Sequence, residues 1–206
     1  MMRLGVLGGT FDPPHLGHLL LAETARVTLG LEQVLFLPVG SPTHKTEQAI
    51  TPTWHRVAMT RLAIADNPFF AVSTLDAERP SPHYTVTLLP LLQQIYPQAT
   101  LWLILGSDSL RDLPQWHQPK TLLSQCRLAV LERPGIAVDW ASLESALPEL
   151  RHHLDWLVGP GVMVSATMVR QFAAANHSLR YLIPEPVRTY VLEHHLYQPN
   201  DNQSST

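Results

Sequence analysis

Leu-Gly-Val-Leu-Gly-Gly-Thr-Phe-Asp-Pro-Pro-His-Leu-Gly-His-Leu-Leu, residues 4–20, reads as strand, turn and helix in succession. Residues 4–7 are a short apolar run of the kind that forms a buried strand. Gly8 and Gly9 let the backbone turn tightly and come close to a ligand. Pro13 and Pro14 each restrict the preceding residue and hold the next few extended. Leu16, Leu19, Leu20, Glu23 and Val27 then fall on one helical face. His15 and His18 share a face of that helix's first turn. A glycine loop running into a helix N-terminus suits an anion, because unpaired N–H groups and the positive end of the helix dipole point at the loop. Paired imidazoles add donors that can follow charge as it shifts between phosphate oxygens. Either histidine alone would read as a polar surface residue at a helix start.

The chain beyond this stretch alternates strand and helix. Residues 34–37 form a second apolar strand closed by Pro38, and a polar loop spans 39–50. Thr51 is placed to cap a helix with Pro52 at its first position. Further strands are expected at 69–74, 101–105 and 127–131, with one or two more at 154–158 and 162–164. Helices are expected at 84–95, around Leu110 and Leu113, at 140–147, 166–174 and 186–194. This alternation predicts an α/β fold, a Rossmann-like, doubly wound parallel sheet in a single domain (1–198) with a small C-terminal helical part. The polar tail, 199–206, is expected to be disordered. In such sheets ligands bind beyond the carboxyl ends of the strands, at the topological switch point. The residues with chemistry to offer follow strand ends here: 8–18, 42–45, 106–108 and Arg133.

Composition narrows the function classes. At 206 residues with 45% apolar content, the chain can bury one sizeable core. A net charge of −3 provides no global field to gather DNA or RNA, so a phosphate ligand must be held by a local cluster. Aromatics are not interleaved with basic residues, which argues against an RNA platform. No run approaches a membrane span, and the N-terminus lacks a signal-peptide pattern. Cys126 is the one cysteine, so no internal disulfide forms and a reducing, cytoplasmic compartment fits. Self-association is left open as a homo-oligomer. The adjacent pairs His152-His153 and His194-His195 read as solvated helix residues, and His15 and His18 lack an evident third metal ligand.

Four more segments carry candidate chemistry. Lys45, in Ser41-Pro42-Thr43-His44-Lys45, is a compact charge able to swing over a phosphate chain. Gly106-Ser107-Asp108 ends the fourth strand, where a carboxylate can accept both ribose hydroxyls or simply cap a helix. The helix starting near Tyr84-Thr85 offers N–H groups to a carboxylate. Ser165-Ala166-Thr167 with Arg170 puts hydroxyls and a guanidinium fork at another helix start. For Arg56, structural and functional roles weigh equally. Trp116 reads as core packing or as a stacking surface.

The string Gly-Gly-Thr-Phe-Asp-Pro-Pro-His-x-Gly-His resembles the signature of the nucleotidylyltransferase family, whose His-x-Gly-His is shared with class I tRNA synthetases. Within that family it is most similar to the bacterial nicotinate mononucleotide adenylyltransferases. Residues 41–45, 82–88, 106–116, 164–170 and 181–197 resemble further motifs of the same family, so the likeness runs from Met1 to about Tyr197. The resemblance implies transfer of the adenylyl group of ATP to nicotinate mononucleotide, with magnesium held mainly by phosphates and water and no protein metal site. It implies a catalytic set of His15, His18, Lys45 and Arg170. ATP would contact Gly8, Gly9, Thr10, Phe11, Gly106, Asp108, Ser165 and Thr167. The pyridine nucleotide would contact Tyr84, Thr85, Trp116 and Arg133. The chain departs from the family pattern at Thr43, His83, Thr87 and Ala166. His83 and Thr87 keep a nicotinamide-preferring or dual enzyme in competition, and Ala166 keeps a catalytically inactive nucleotide-binding regulator. A pantetheine-phosphate adenylyltransferase shares the first motif but lacks the match at Tyr84, Thr85 and Trp116.

Overall fold

The computed structural model describes residues 2–40 and 50–198. Thr43, His44, Lys45 and the tail of 199–206 therefore lie outside the described residues. Six strands form one sheet in the order β3-β2-β1-β4-β5-β6. They are β1 (Arg3–Gly9), β2 (Gln33–Pro38), β3 (Phe70–Val72), β4 (Thr100–Gly106), β5 (Arg127–Leu131) and β6 (Leu154–Leu157). Every neighbouring pair is parallel. The chain winds outward from β1 to β3, then crosses back to β4 on the other side of β1. The switch point thus lies between β1 and β4, at the ends marked by Gly8 and Gly106.

Both sheet faces are covered, which is why the strands read as continuous apolar runs. On one face Leu4, Val6, Leu103 and Val130 pack under α4 (Thr85–Ile95), α6 (Pro119–Gln125) and α7 (Trp140–Ala146). On the other, Leu7, Phe36, Ile104 and Leu131 pack under α1 (Leu16–Leu29), α2 (Thr53–Ile64), α8 (Ala166–Ala174) and α9 (Glu185–Glu193). Two short helices, α3 (Leu75–Glu78) and α5 (Ser107–Asp112), follow β3 and β4 directly.

Several expectations are corrected. The α1 face turned to the sheet is Ala22 and Ala25, while Val27 is 63% exposed. Small side chains let this helix lie close to the sheet, leaving Leu16, Leu19 and Leu20 half-buried on its flank. Thr51 does not cap α2: Pro52 is the residue before the helix, with no side-chain cap, and the Thr51 backbone is engaged at both ends by Asp12 and Arg56. Residues 162–164 form no strand: the chain from 158 to 165 has no regular structure, and Pro160, Gly161 and Val162 border the cavity at the strand ends. Asp12 and Pro13 sit in a bend with a cis peptide between them, not in an extended run. Among the described residues no helix is long and apolar enough to cross a membrane.

Candidate active site

Between β1 and α1 the chain is shaped by the residues of the first motif. Phe11 adopts a left-handed backbone, φ 49°, rare for a bulky residue. Its ring is 1% exposed and packs on Gly9, on the edge of His18 and on Phe36. The loop is therefore anchored from beneath, and Phe11 contributes its side chain to the core.

His15 and His18 stack, with ring centroids 3.7 Å apart. The glycine between them has a geometric cause. A Cβ at Gly17 would lie 3.0 Å from Cε1 and Nδ1 of His15, so any larger residue would push the ring aside. The backbone N–H of His15 donates to Nδ1 of His18 at 3.2 Å. Neutral His18 must then carry its proton on Nε2. His15 is buried, and burial together with the nearby positive charge of Arg133 lowers its pKa from 6.5 to about 4. Near neutral pH it is an uncharged ring that donates through one nitrogen and accepts through the other.

These rings border a cavity of about 230 Å³ at the switch point, also lined by Gly8, Gly106, Asp108, Arg133, Ser165 and residues 160–162. The Arg133 guanidinium pairs with Asp108 at 2.8 Å, and the Arg133 N–H donates to Ser107 Oγ at 3.0 Å. A side chain at Gly106 would collide with Asp108 and Arg133, so only glycine leaves that pair in place. Ser165 caps α8 by accepting from the Met168 N–H at 3.1 Å. One turn in, Arg170 donates to the Asp12 carbonyl at 2.8 Å and reaches Thr167 Oγ1 at 3.4 Å. The N-termini of α1 and α8 thus begin at the same cavity, and both favour anions there.

Not every sequence candidate lines this cavity. Gly9 and Thr10 lie at the end of β1, where the Thr10 carbonyl accepts from Arg56 Nη1 at 2.8 Å. Arg133 sits with Asp108 and His15. Tyr84 and Thr85 are at the start of α4, and Trp116 follows a short 3₁₀ turn, Leu113–Gln115. Tyr84 stacks on His117 at 4.1 Å. The two departures nearby are accounted for locally. Thr87 Oγ1 accepts from Arg79 at 2.8 Å and donates to the Tyr84 carbonyl, and the His83 ring lies directly against Gly40. Arg56 is a structural residue, 1% exposed and bonded to the Thr10, Gly40 and Thr51 carbonyls. Sequence reasoning gave no role of their own to Asp12 and Gly17, although both stand in the signature string, and it missed the 160–162 segment, for which the Gly-Pro-Gly at 159–161 was a usable signal of a break in regular structure. Among the described residues no group of three or more His, Cys, Asp or Glu could hold a metal ion.

Comparison with known proteins agrees with this geometry. Residues 6–172 match the model of the cytidylyltransferase-like family. The chain is 45% identical over 96% of its length to a Herpetosiphon aurantiacus protein called "Probable nicotinate-nucleotide adenylyltransferase", of which it covers 99%. A Thermomicrobium roseum protein of the same name is 43% identical, with 96% of this chain and 92% of the relative covered. The fold is shared with Plasmodium falciparum nicotinic acid mononucleotide adenylyltransferase complexed with NaAD, at a TM-score of 0.78 and 18% identity over 96% of this chain and 98% of that one. The family match across residues 6–172 and the full-length relatives of one name identify the chain, with its stacked histidine pair at the switch point, as a member of the cytidylyltransferase-like family, in its nicotinate-nucleotide adenylyltransferase group.

Proposed function

We propose that this protein transfers the adenylyl group of ATP to nicotinate mononucleotide, releasing pyrophosphate and forming the deamido dinucleotide on the route to NAD. The observation behind the proposal is the stacked pair His15 and His18, set at the N-terminus of α1 beside Asp108 and Arg133. A phosphate oxygen of the mononucleotide attacks the α-phosphorus of ATP. The bond from that phosphorus to the bridging oxygen breaks, and its electron pair leaves with pyrophosphate. The nucleophile is already an anion, so no general base is needed. The site's tasks are alignment and charge neutralisation.

The roles follow from chemistry. His18, with its proton on Nε2, and neutral His15 donate to α- and β-phosphate oxygens. Gly8, Gly9 and Phe11 present backbone, and Thr10 its hydroxyl, to the phosphates. Arg170 and Lys45 supply positive charge, with Thr167 and Ser165 beside them. Asp108 takes the ribose hydroxyls once Arg133 turns from it to the phosphates, and Gly106 leaves room for the sugar. Tyr84, Thr85 and Trp116 hold the pyridine ring, and the α4 N-terminus favours its carboxylate over a neutral amide. Magnesium carried by the triphosphate would screen the phosphate oxygens while keeping most of its water, with Asp108 and the phosphates themselves as the oxygen donors nearest to it. The cytoplasm suits a chain with one cysteine, Cys126, which can form no internal disulfide.

Pyrophosphate release tests the proposal. Wild-type protein with ATP is expected to release it with nicotinate mononucleotide, and much less with nicotinamide mononucleotide or phosphopantetheine. Equal rates with the two pyridine nucleotides would revise the substrate preference. Silence with all three would leave only nucleotide binding.

A further inference from the structure

Asp12 is a carboxylate with 3% exposure that no role in the transfer explains. Each of its oxygens is engaged. Oδ1 accepts from the Tyr197 hydroxyl at 2.7 Å, Oδ2 from the Thr51 N–H at 3.2 Å, and its carbonyl from Arg170 Nη1 at 2.8 Å. The buried Arg56 guanidinium adds compensating charge. Tyr197 lies beyond the last helix, on a left-handed backbone with φ 66°. Burial, and then the charge of Asp12, raise its pKa far above the usual tyrosine range, so it remains a donor at any working pH.

We propose that Tyr197 and Asp12 are positioning residues for adenylyl transfer: the end of the chain moors the phosphate loop, and the moored Asp12 carbonyl aims Arg170. The inference rests on the transfer reading given above. Two contacts support a directional role over general packing. Tyr197 touches the loop through its hydroxyl on a carboxylate, which fixes one orientation of Asp12. Arg170 is held by the backbone of that same residue, so a shift in Asp12 moves the guanidinium with it. The bond joins residues 185 apart in sequence, so nothing local in either segment replaces it.

Tyr197→Phe removes the hydroxyl and keeps the ring. It is expected to lower kcat on the order of ten- to a hundredfold, as misalignment does. KM for both substrates should stay within about threefold, since ground-state binding is retained. Introduced into Arg170→Ala, the same change should add less than roughly twofold, because both act through one group. Hydrogen exchange at the amides of residues 10–18 should quicken in Tyr197→Phe. Asp12→Asn, which keeps an acceptor but loses the charge, serves as a second variant and should also quicken exchange there. A wild-type kcat in Tyr197→Phe, or a full additional loss on top of Arg170→Ala, overturns the proposal. If the wild type releases no pyrophosphate at all, the transfer reading fails, and exchange alone decides the mooring: unchanged protection in both variants overturns it.

Discussion

His15 is a histidine kept neutral in a place where most would titrate. Its pKa is 6.5 when unfolded and about 4 in the folded protein, lowered by burial and then by Arg133. Between those values the unfolded chain binds the extra proton and the folded one does not. Stability from this residue is therefore complete above pH 6.5 and is lost as the pH falls toward 4. The amount at stake is about 3 kcal/mol. Urea unfolding at pH 7 and pH 4.5 should show wild type losing about 2 kcal/mol more across that interval than His15→Gln, which has nothing to protonate. Equal losses would mean that the ring reaches water and is not held neutral. The neutral state matters for the chemistry as well. An imidazole without charge can lie against His18 at 3.7 Å without repulsion. The positive charge of the site is left to Arg133, Arg170 and the proposed Lys45.

At the scale of elements, Arg56 ties three segments together through one side chain. Its guanidinium donates to Thr10 after β1 at 2.8 Å, to Gly40 after β2 at 2.6 Å and to Thr51 before α2 at 2.9 Å. Arg56→Met would leave the Thr10 and Thr51 carbonyls without their guanidinium donor, the Gly40 carbonyl with Thr53 Oγ1 alone, and the Asp12 carboxylate without a buried counter-charge. The expected cost is about 3 kcal/mol in denaturant unfolding, and Arg56→Lys should recover only part of it, because a single ammonium cannot span the three acceptors. A loss under about 1 kcal/mol would show the guanidinium to be solvated in solution. Arg56 also shows where the sequence stops being legible. Strand and helix alternation, the switch point and the motif at residues 4–20 are local patterns, and they located all six strands and the phosphate-facing end. The bond from Tyr197 to Asp12 and the fork of Arg56 are long-range, and their residues carry no local signature of their partners. Helix α6 was missed because only Leu122 and Leu123 of its residues are buried, too few to show a period, although Pro119 in its first turn was a readable start. The face of α1 was misjudged because hydrophobicity picks leucines, whereas close approach to the sheet selects Ala22 and Ala25.

For the whole molecule, the decisive feature is that the cavity draws on distant parts of one sheet. Gly8 is next to last in β1, Gly106 ends β4, Arg133 follows β5 and Ser165 caps α8. The two cores pack on opposite faces of the sheet and meet only through it. A ligand at the strand ends therefore ties together segments more than a hundred residues apart that belong to both cores. Net charge is −3, so attraction of a polyphosphate depends on these converging groups and not on the surface field. Ligand binding should accordingly raise the stability of the fold as a unit. At a concentration about a hundred times its Kd, ATP is expected to add about 2.7 kcal/mol. For a domain of this size that corresponds to a rise in Tm of roughly 5–10 °C. Asp108→Ala and Arg170→Ala should each shrink the rise at fixed ATP, while a substitution on the far end of the sheet, such as Glu32→Gln beside the N-terminus of β2, should leave it unchanged. Differential scanning calorimetry should show one transition moving as a whole. A transition that splits under ATP, with only part of the chain stabilised, would mean that the ligand bridges one core alone and that the site does not span the switch point.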